Sequence, residues 1–392
     1  MAVTLTVKLN SGALGSAFSR LGLTLRVSSD LPASQLPVKF RSHSADKDDV
    51  SPLPVQKGAL MPAKSLFLVA VCTLGVLIAP SLRALPPTQP SEAEFRSTLA
   101  LQIALEGHGY SPGLLDGRDG PKTRTAVASV QAGLGFRPTG ATDSKLLELL
   151  GVDEATALTS YRVKEEDVKQ VGEVPTGWIA RSEKDWLPYP SVGDLVAEKF
   201  HTSRRCLERL NTVVALETLT AGDTLHVPAR RSVESRYSPP VSFLEIDVAR
   251  KVVLLLYENG KKERFLHGIL HCSTPANSAR VSFGEHRVSV VANFPEYTFN
   301  PSDWPEVADV DRKLRIPPGP RNPVGACWIG LDRRGVGIHG TPQPENIGKT
   351  GSHGCFRLTN WDATWLARLV EPGTPVRIYA RSQETSWHWR KE

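Results

Sequence analysis

The hydrophobic positions between residues 93 and 151 follow a helical period. Phe95, Leu99 and Ile103 are spaced four residues apart, which places them on one face of an α-helix. The same reasoning predicts two more short helices, over residues 123–134 and 145–150. Three short helices within so short a stretch predict a small three-helix bundle over residues 93–151.

Residues 160–229 combine short strand patterns with helical ones. The expected order is strand, helix, helix, strand, over residues 161–163, 192–200, 203–210 and 224–227. A stretch that contains Trp178, Trp186 and Tyr189 separates the first strand from the first helix. This pattern predicts a second small module, of the α+β class.

From residue 240 onward the pattern is that of β-strands. FLEIDV at 243–248 alternates, and the apolar run VVLLLY at 252–257 is followed by Glu-Asn-Gly, a hairpin signal. Further strands are expected at 264–270, 287–292, 327–331, 336–339 and 375–380. One helix stands out, over 361–370, with Asn360 as its N-cap. The predicted fold class is therefore multidomain, with a mostly-β domain at 240–380 after the two smaller modules.

The N-terminal region contains an apolar run that is typical of export. Met61 precedes one lysine and then 18 uncharged residues, 65–82, which indicates a signal peptide or membrane anchor over 61–84. Cleavage is expected after Ser81 or Ala84. Because a signal peptide acts at an N-terminus, residues 1–60 are interpreted as a disordered or mis-assigned extension, with translation starting at Met61. Residues 381–392 are expected to be a tail.

Composition and charge exclude several classes of protein. With 392 residues, 40% of them hydrophobic, the chain is neither disordered throughout nor a polytopic membrane protein. A net charge of +6 without a basic run gives little support for nucleic-acid binding. Five cysteines are too few for a disulfide scaffold, although a bond between Cys272 and Cys327 stays open.

One cysteine and two histidines lie close together in a glycine-rich stretch. His339 ends a predicted strand, and His353 and Cys355 stand in the segment SHGCFR. A histidine within reach can take the proton of a thiol, so the three residues suit nucleophilic catalysis. The same side chains could instead ligate zinc or play a structural role, and their spacing alone does not decide between these readings.

The stretch IHGTPQPENIGKTGSHGCFRL at 338–358 resembles the L,D-transpeptidase catalytic domain through the motifs HGT and SHGC-x-R. The resemblance covers about 240–380 and departs from the family at 271–286, where a Thr-Pro-x-Gly turn is usual. It implies a β-sandwich fold and an enzyme without a cofactor or metal. The implied reaction is cysteine acyl transfer from a peptidoglycan tetrapeptide stem to an amine acceptor, which forms 3→3 cross-links.

The resemblance also implies a role for each site residue. Cys355 would be the nucleophile, His339 its base or thiolate partner, and His353 a group that orients the site. The supporting and oxyanion-hole residues would be Gly354, Ser352, Gly340 and Thr341. The substrate-binding residues would be Arg357, Tyr297 and Trp304.

The two smaller modules resemble wall-binding domains. Residues 95–151, with the turn DGRDGPKT at 116–123, resemble the peptidoglycan-binding domain type 1, and residues 160–229 resemble a lysin motif. These resemblances imply peptidoglycan as the partner and a location in the periplasm or cell wall, secreted or anchored through 65–82. The acceptor could also be water, as in an L,D-carboxypeptidase, or an outer-membrane lipoprotein. A wall-binding protein without activity and a zinc hydrolase are the alternatives of other classes.

Overall fold

The structure is a computed structural model that describes residues 5–6, 26–27, 90–230, 241–261, 263–304 and 307–380. The chain divides into two compact units, residues 1–84 and 85–392. In the first unit, strands β1 (Leu5–Thr6) and β2 (Arg26–Val27) pair antiparallel. The rest of the predicted extension, the segment 61–84 and the tail 381–392 lie outside the described residues. Within the described residues, no helix is both long and apolar enough to cross a membrane.

Three helices lie at the beginning of the second unit, as predicted: α1 (Glu92–Gly107), α2 (Pro121–Gly133) and α3 (Ser144–Leu150). Ser91 caps α1 in a capping box with Glu94, and Asp143 caps α3. Leu105, Val127 and Leu146 on these helices share a buried cluster with residues of strands described below. The helices therefore pack against the β-domain as well as against each other.

The next module begins and ends with a strand, as predicted, but it has four helices between them where the sequence pattern predicted two. Strand β3 (Leu158–Arg162) pairs antiparallel with β4 (Thr224–Pro228). The helices between them are α4 (Glu165–Val168), α5 (Trp178–Ser182), α6 (Val192–Lys199) and α7 (Arg204–Leu210). The short helices α4 and α5 lie in the aromatic stretch before α6, and the sequence pattern did not predict them.

The C-terminal domain is mostly β, as predicted, and is built on an eight-stranded sheet. Its strands follow in this order along the chain: β5 (Phe243–Asp247), β6 (Val252–Glu258), β7 (Arg264–His271), β8 (Gly284–Asn293), β11 (Cys327–Leu331), β12 (Gly337–His339), β13 (Phe356–Arg357) and β14 (Pro375–Tyr379). In space the order is β13-β12-β11-β8-β14-β5-β6-β7. A separate hairpin pairs β9 (Tyr297–Phe299) with β10 (Leu314–Ile316).

Strand β8 joins the two halves of the sheet. Its first residues pair with β14, and its last residues pair with β11. Side chains from both halves, such as Ile246 and Ile338, share one buried core with Leu366 of helix α8 (Asn360–Ala367). The sheet thus wraps around a common core. Strand β13, next to β12, forms one edge of this sheet.

One sequence expectation in this domain needs correction. Thr359, rather than Asn360, is the N-cap of α8, because its Oγ accepts the Asp362 N–H at 3.1 Å. Cys272 and Cys327, between which a bond was left open, are both buried in the core and both free. Cys206 is likewise free and buried.

Candidate active site

The candidate site is built on two adjacent parallel strands, β12 and β13. Ile338 lies opposite Phe356, and His339 lies opposite Arg357. Ile338 and Phe356 are fully buried in the core, and side chains alternate between the two faces of a sheet. His339, Arg357 and Cys355, which directly precedes β13, therefore share the other face. The buried residues Ile338 and Phe356 thus determine which face of the two strands holds the candidate site residues.

His339 is buried at the end of β12 and has a defined hydrogen bond. Its Nδ1 lies 2.7 Å from the carbonyl oxygen of Gly340, and its ring stacks on Trp328 of the adjacent strand. A carbonyl can only accept, so Nδ1 carries the proton of the neutral ring. Burial lowers the pKa of His339 to about 4, with the charge of Arg357 acting in the same direction. The imidazole is therefore neutral at pH 7.

Cys355 is partly exposed, and its thiol hydrogen-bonds the carbonyl of Gly335 at 3.2 Å. Burial of the sulfur raises the pKa of Cys355 to about 11, against a smaller opposing effect of the Gly337 backbone. Within the described residues, no hydrogen bond joins this sulfur to the His339 ring. The sequence led us to expect such a contact, and a nucleophile with a lowered pKa. In the structure, the thiol and the imidazole are instead both neutral at pH 7.

The segment before the nucleophile is held firmly from both sides. Ser352 is buried and donates its hydroxyl to the carbonyl of Cys355. The Arg357 Nη2 donates to the carbonyls of Thr350 and Gly351, at 2.8 and 2.7 Å. Residues 273–275 pair with Arg357 and Ser352 through isolated bridges. This places the divergent stretch 271–286 directly beside the SHGC segment.

Arg357 was expected to bind a substrate carboxylate, and its position shows a further task. Its Nη2 is fully engaged by the 350–351 loop, also through the Thr350 hydroxyl at 2.9 Å. The buried Nε has no hydrogen-bond partner within the described residues. The guanidinium thus anchors the loop that precedes Cys355, and its Nε–H group is not used for this anchoring.

Space beside the nucleophile is open. A side chain added at Gly354 would meet no atom within 4 Å. The expected supporting residue Thr341 is buried one turn away, where its hydroxyl accepts the Gln343 N–H at 3.3 Å. Gly354 therefore faces open space, whereas Thr341 stabilises the loop after His339.

An aromatic cluster forms one wall near His353. The ring of Trp304 lies 4.1 Å from that of exposed His353, and the indole N–H donates to the Tyr297 hydroxyl at 3.0 Å. Burial raises the pKa of Tyr297, and nearby Cys355 adds to this rise. Trp178 of α5 stacks on Phe299 of the same cluster at 4.3 Å. Tyr297 and Trp304 thus lie near the nucleophile, as expected, and are supported by the preceding module.

Sequence reasoning missed several groups that shape the site. The Gly335 carbonyl and the Gly337 N–H contact the thiol through the backbone, which leaves no signal in residue types. Asn360 was recognised only as a cap, yet its carboxamide lies against Gly340. Within the described residues, no group of three or more histidine, cysteine, aspartate or glutamate side chains could hold a metal ion.

Two family models match the chain. The "L,D-transpeptidase catalytic domain" matches residues 242–378, and the "Putative peptidoglycan binding domain" matches residues 97–150. Both stretches agree with the regions singled out by sequence motifs. The lysin-motif resemblance of 160–229 stays a prediction.

Curated relatives carry the same family name. "Putative L,D-transpeptidase YqjB" of Bacillus subtilis is 34% identical over 29% of this chain and 60% of its own length. "Putative L,D-transpeptidase YkuD" of Bacillus licheniformis is 48% identical over 16% of this chain and 37% of its own. The chain thus spans less than two thirds of either relative. A solved structure, L,D-transpeptidase 3 from Mycobacterium tuberculosis, is 15% identical with a TM-score of 0.27, over 41% of this chain and 76% of its own.

The catalytic residues considered above all fall within the matched stretch 242–378. The chain therefore contains an L,D-transpeptidase catalytic domain, preceded by a peptidoglycan-binding domain.

Proposed function

We propose that the protein is a cell-wall L,D-transpeptidase that uses Cys355 as its nucleophile. The observation that carries the proposal is the parallel pairing of β12 with β13, in which His339 lies opposite Arg357, two residues after Cys355. This register supports a base and a thiol on neighbouring segments of the sheet, next to the open space at Gly354.

The protonation states define how the nucleophile is activated. His339 is neutral at pH 7, and the thiol of Cys355 is protonated. For the reaction, the sulfur leaves its hydrogen bond to the Gly335 carbonyl and turns towards His339. The imidazole then takes the thiol proton as the sulfur attacks, so His339 acts as a general base rather than as the partner of a preformed thiolate.

The reaction is acyl transfer in two steps. The sulfur of Cys355 bonds to the carbonyl carbon of the third residue of a tetrapeptide stem, and the peptide bond to D-alanine breaks. The leaving amine takes the proton held by His339, and a thioester remains. A side-chain amine of a second stem attacks this thioester and passes a proton to His339. The carbon–sulfur bond breaks, the sulfur takes this proton from His339 to restore the thiol, and a 3→3 cross-link results.

Other residues support these steps. Backbone N–H groups around Gly354 and Cys355 stabilise the oxyanion, an interaction worth about 2.7–4 kcal/mol per donor in enzymes of this kind. Gly340 orients His339 through its carbonyl, and Ser352 holds the turn of the nucleophile. His353 orients the site from the aromatic wall. The substrate is bound by Arg357, Tyr297 and Trp304, and Thr341 supports the site. The proposed reaction uses no metal.

The remaining modules fit the same function. The curved sheet is a β-sandwich of the transpeptidase type, and the helical bundle binds the peptidoglycan stem or glycan. The module 158–228 acts as a lysin motif that binds N-acetylglucosamine-containing glycan. The protein works outside the cytoplasm, in the periplasm or cell wall, after export through the segment 65–82.

Incubation with purified tetrapeptide muropeptide dimers, followed by mass analysis, tests the proposal. We expect loss of D-alanine together with a product of two joined stems, and neither change with Cys355→Ala. Loss of D-alanine with uptake of water would assign an L,D-carboxypeptidase. Transfer only to a lysine-bearing lipoprotein peptide would assign an anchoring enzyme. No change in any assay, with glycan binding retained, would leave a wall-binding protein and refute catalysis.

A further inference from the structure

The carboxamide of Asn360 is fixed in a single orientation at the start of α8. Asn360 is 2% exposed, and its Oδ1 accepts the Ala326 N–H at 3.0 Å. Its Nδ2 donates to both carboxylate oxygens of Glu198, each at 3.1 Å. Since an amide oxygen only accepts and an amide nitrogen only donates, these partners cannot be exchanged by flipping the side chain.

The oxygen end of Asn360 lies against the peptide that orients the candidate base. A Cβ added at Gly340 would collide with Oδ1 of Asn360, and so would one at Gly325. The carbonyl of Gly340 is the acceptor for Nδ1 of His339 at 2.7 Å. Any shift of Asn360 is therefore transmitted to this carbonyl, because packed atoms leave no free space between them.

The nitrogen end of Asn360 is held by the preceding module. Glu198 is on α6 and also accepts the Tyr189 hydroxyl at 2.7 Å. Burial raises the pKa of Glu198, and the hydrogen bonds from Tyr189 and Asn360 oppose this rise. Of the charged groups that face Glu198, Arg321 lowers its pKa and Asp194 raises it. The carboxylate therefore receives donors from two sides and is itself held in place.

A second contact links the same helix to the loop after His339. Nη2 of Arg321 donates to Asp194 of α6 at 3.1 Å, and Nη1 donates to the carbonyl of Pro342. Helix α6 is thus linked to the segment 339–342 in two ways, through Asn360 and through Arg321.

We infer that Glu198 is a positioning residue for His339, acting through Asn360. The inference rests on the proposed function, since His339 is the base only if Cys355 is acylated. It means that the module 158–228 takes part in organising the catalytic site, in addition to any contact with the wall. Glu198 itself touches neither substrate nor nucleophile.

Glu198→Gln tests this role with little change in volume. The amide keeps one acceptor but turns an N–H group towards a donor, either Asn360 or Tyr189. We expect kcat to fall on the order of tenfold or more with KM nearly unchanged, because small misplacements of a catalytic group are costly. Glu208→Gln is the matched control, since Glu208 is exposed on neighbouring α7.

The pH profile separates positioning from a general loss of stability. Burial is the main cause of the low pKa of His339, and Arg357 is the charged group that faces it. A loosened imidazole gains contact with water, so the acidic limb of kcat/KM should move from about pH 4 towards the ordinary value of about 6.5. An unmoved limb in Glu198→Gln, or kinetics equal to those of Glu208→Gln, would overturn the inference.

Two further measurements complete the design. Tyr189→Phe removes one donor to Glu198 without a change of shape, so it should move the limb in the same direction by less, and it decides the question if Glu198→Gln does not fold. Acylation of wild-type Cys355 by a carbapenem, followed by mass, is measured in parallel. If the wild type is not acylated, the proposed function fails. If it is acylated and both variants match the wild type, only the positioning role fails.

Discussion

His339 and His353 belong to one sequence motif but lie in opposite surroundings. His339 is 6% exposed, at the end of a core strand, with a carbonyl that fixes its tautomer. His353 is exposed on the loop before Cys355, and its ring lies against that of Trp304 at a tilt of 39°. The difference teaches that burial, rather than proximity in sequence to Cys355, distinguishes the proposed base. His353, two residues from Cys355, belongs to the aromatic cluster.

The comparison of the two histidines requires that Cys355 is the nucleophile on which both of them act. Cys355→Ala should therefore abolish the covalent step, because no other sulfur lies in the groove among the described residues. A carbapenem should add its mass to the wild type and not to this variant. Cys206→Ala is the control, since Cys206 is buried in another module, and it should be acylated normally. A mass adduct on Cys355→Ala would assign another nucleophile.

The next largest effect is expected for the buried histidine. His339→Ala should lower the rate of thioester formation by roughly 10²–10⁴-fold, as for other positioned bases. Muropeptide binding should change little, because the imidazole acts on the thiol and not on the stem. Single-turnover acylation and equilibrium binding measure the two quantities separately. Equal losses in binding and rate would contradict a base.

The burial of His339 also predicts how stability depends on pH. Its pKa of about 4 in the folded chain lies below the ordinary 6.5, so only the unfolded chain takes up a proton between these values. The contribution of neutral His339 to the free energy of unfolding is complete above pH 6.5. It is lost as the pH falls to about 4, which lowers the free energy of unfolding by about 3 kcal/mol.

Denaturant unfolding at pH 7 and pH 4 checks this value. The wild type should lose about 3 kcal/mol more of its free energy of unfolding than His339→Gln does over this interval. The buried groups His271 and Asp362 titrate in both proteins and cancel in the difference. An equal loss in the two proteins would show that His339 is not buried in its neutral form.

The smallest effect is expected for the exposed histidine. His353→Gln should slow acylation by about tenfold, because it disturbs the ring contact with Trp304 and leaves the proposed base His339 in place. The acidic limb of the pH profile should stay where it is in the wild type. Trp304→Phe should give a similar or smaller loss. A loss from His353→Gln that exceeds that of His339→Ala would reverse the comparison.

Much of the fold was predictable because local patterns agree with the packing. The hairpin after 258 and the helix spacing of Phe95, Leu99 and Ile103 report which residues are buried. The alternation in 243–247 predicted the strand but not its burial, since all five residues of β5 are buried. The N-cap of α8 was misplaced by one residue, since Thr359 and Asn360 can both cap and only Thr359 has the required geometry.

The site was predictable in its residue types and less so in its arrangement. The motif identified His339, His353 and Cys355, but not the direction of the thiol, which depends on the Gly335 carbonyl. Local sequence carries no information about Glu198, which lies 162 positions from Asn360 in the chain. Contacts between modules depend on tertiary packing and therefore have no signature in a single sequence.

The place of β14 in the sheet sets the order in which the chain can fold. This last strand, Pro375–Tyr379, pairs with β5 on one side and with β8 on the other. Strands β5–β7 therefore cannot join the half that carries His339 and Cys355 until nearly the whole described chain has been synthesised. Pairings between such distant segments form slowly, and a chain that stops before Pro375 leaves two open sheet edges in place of one closed core.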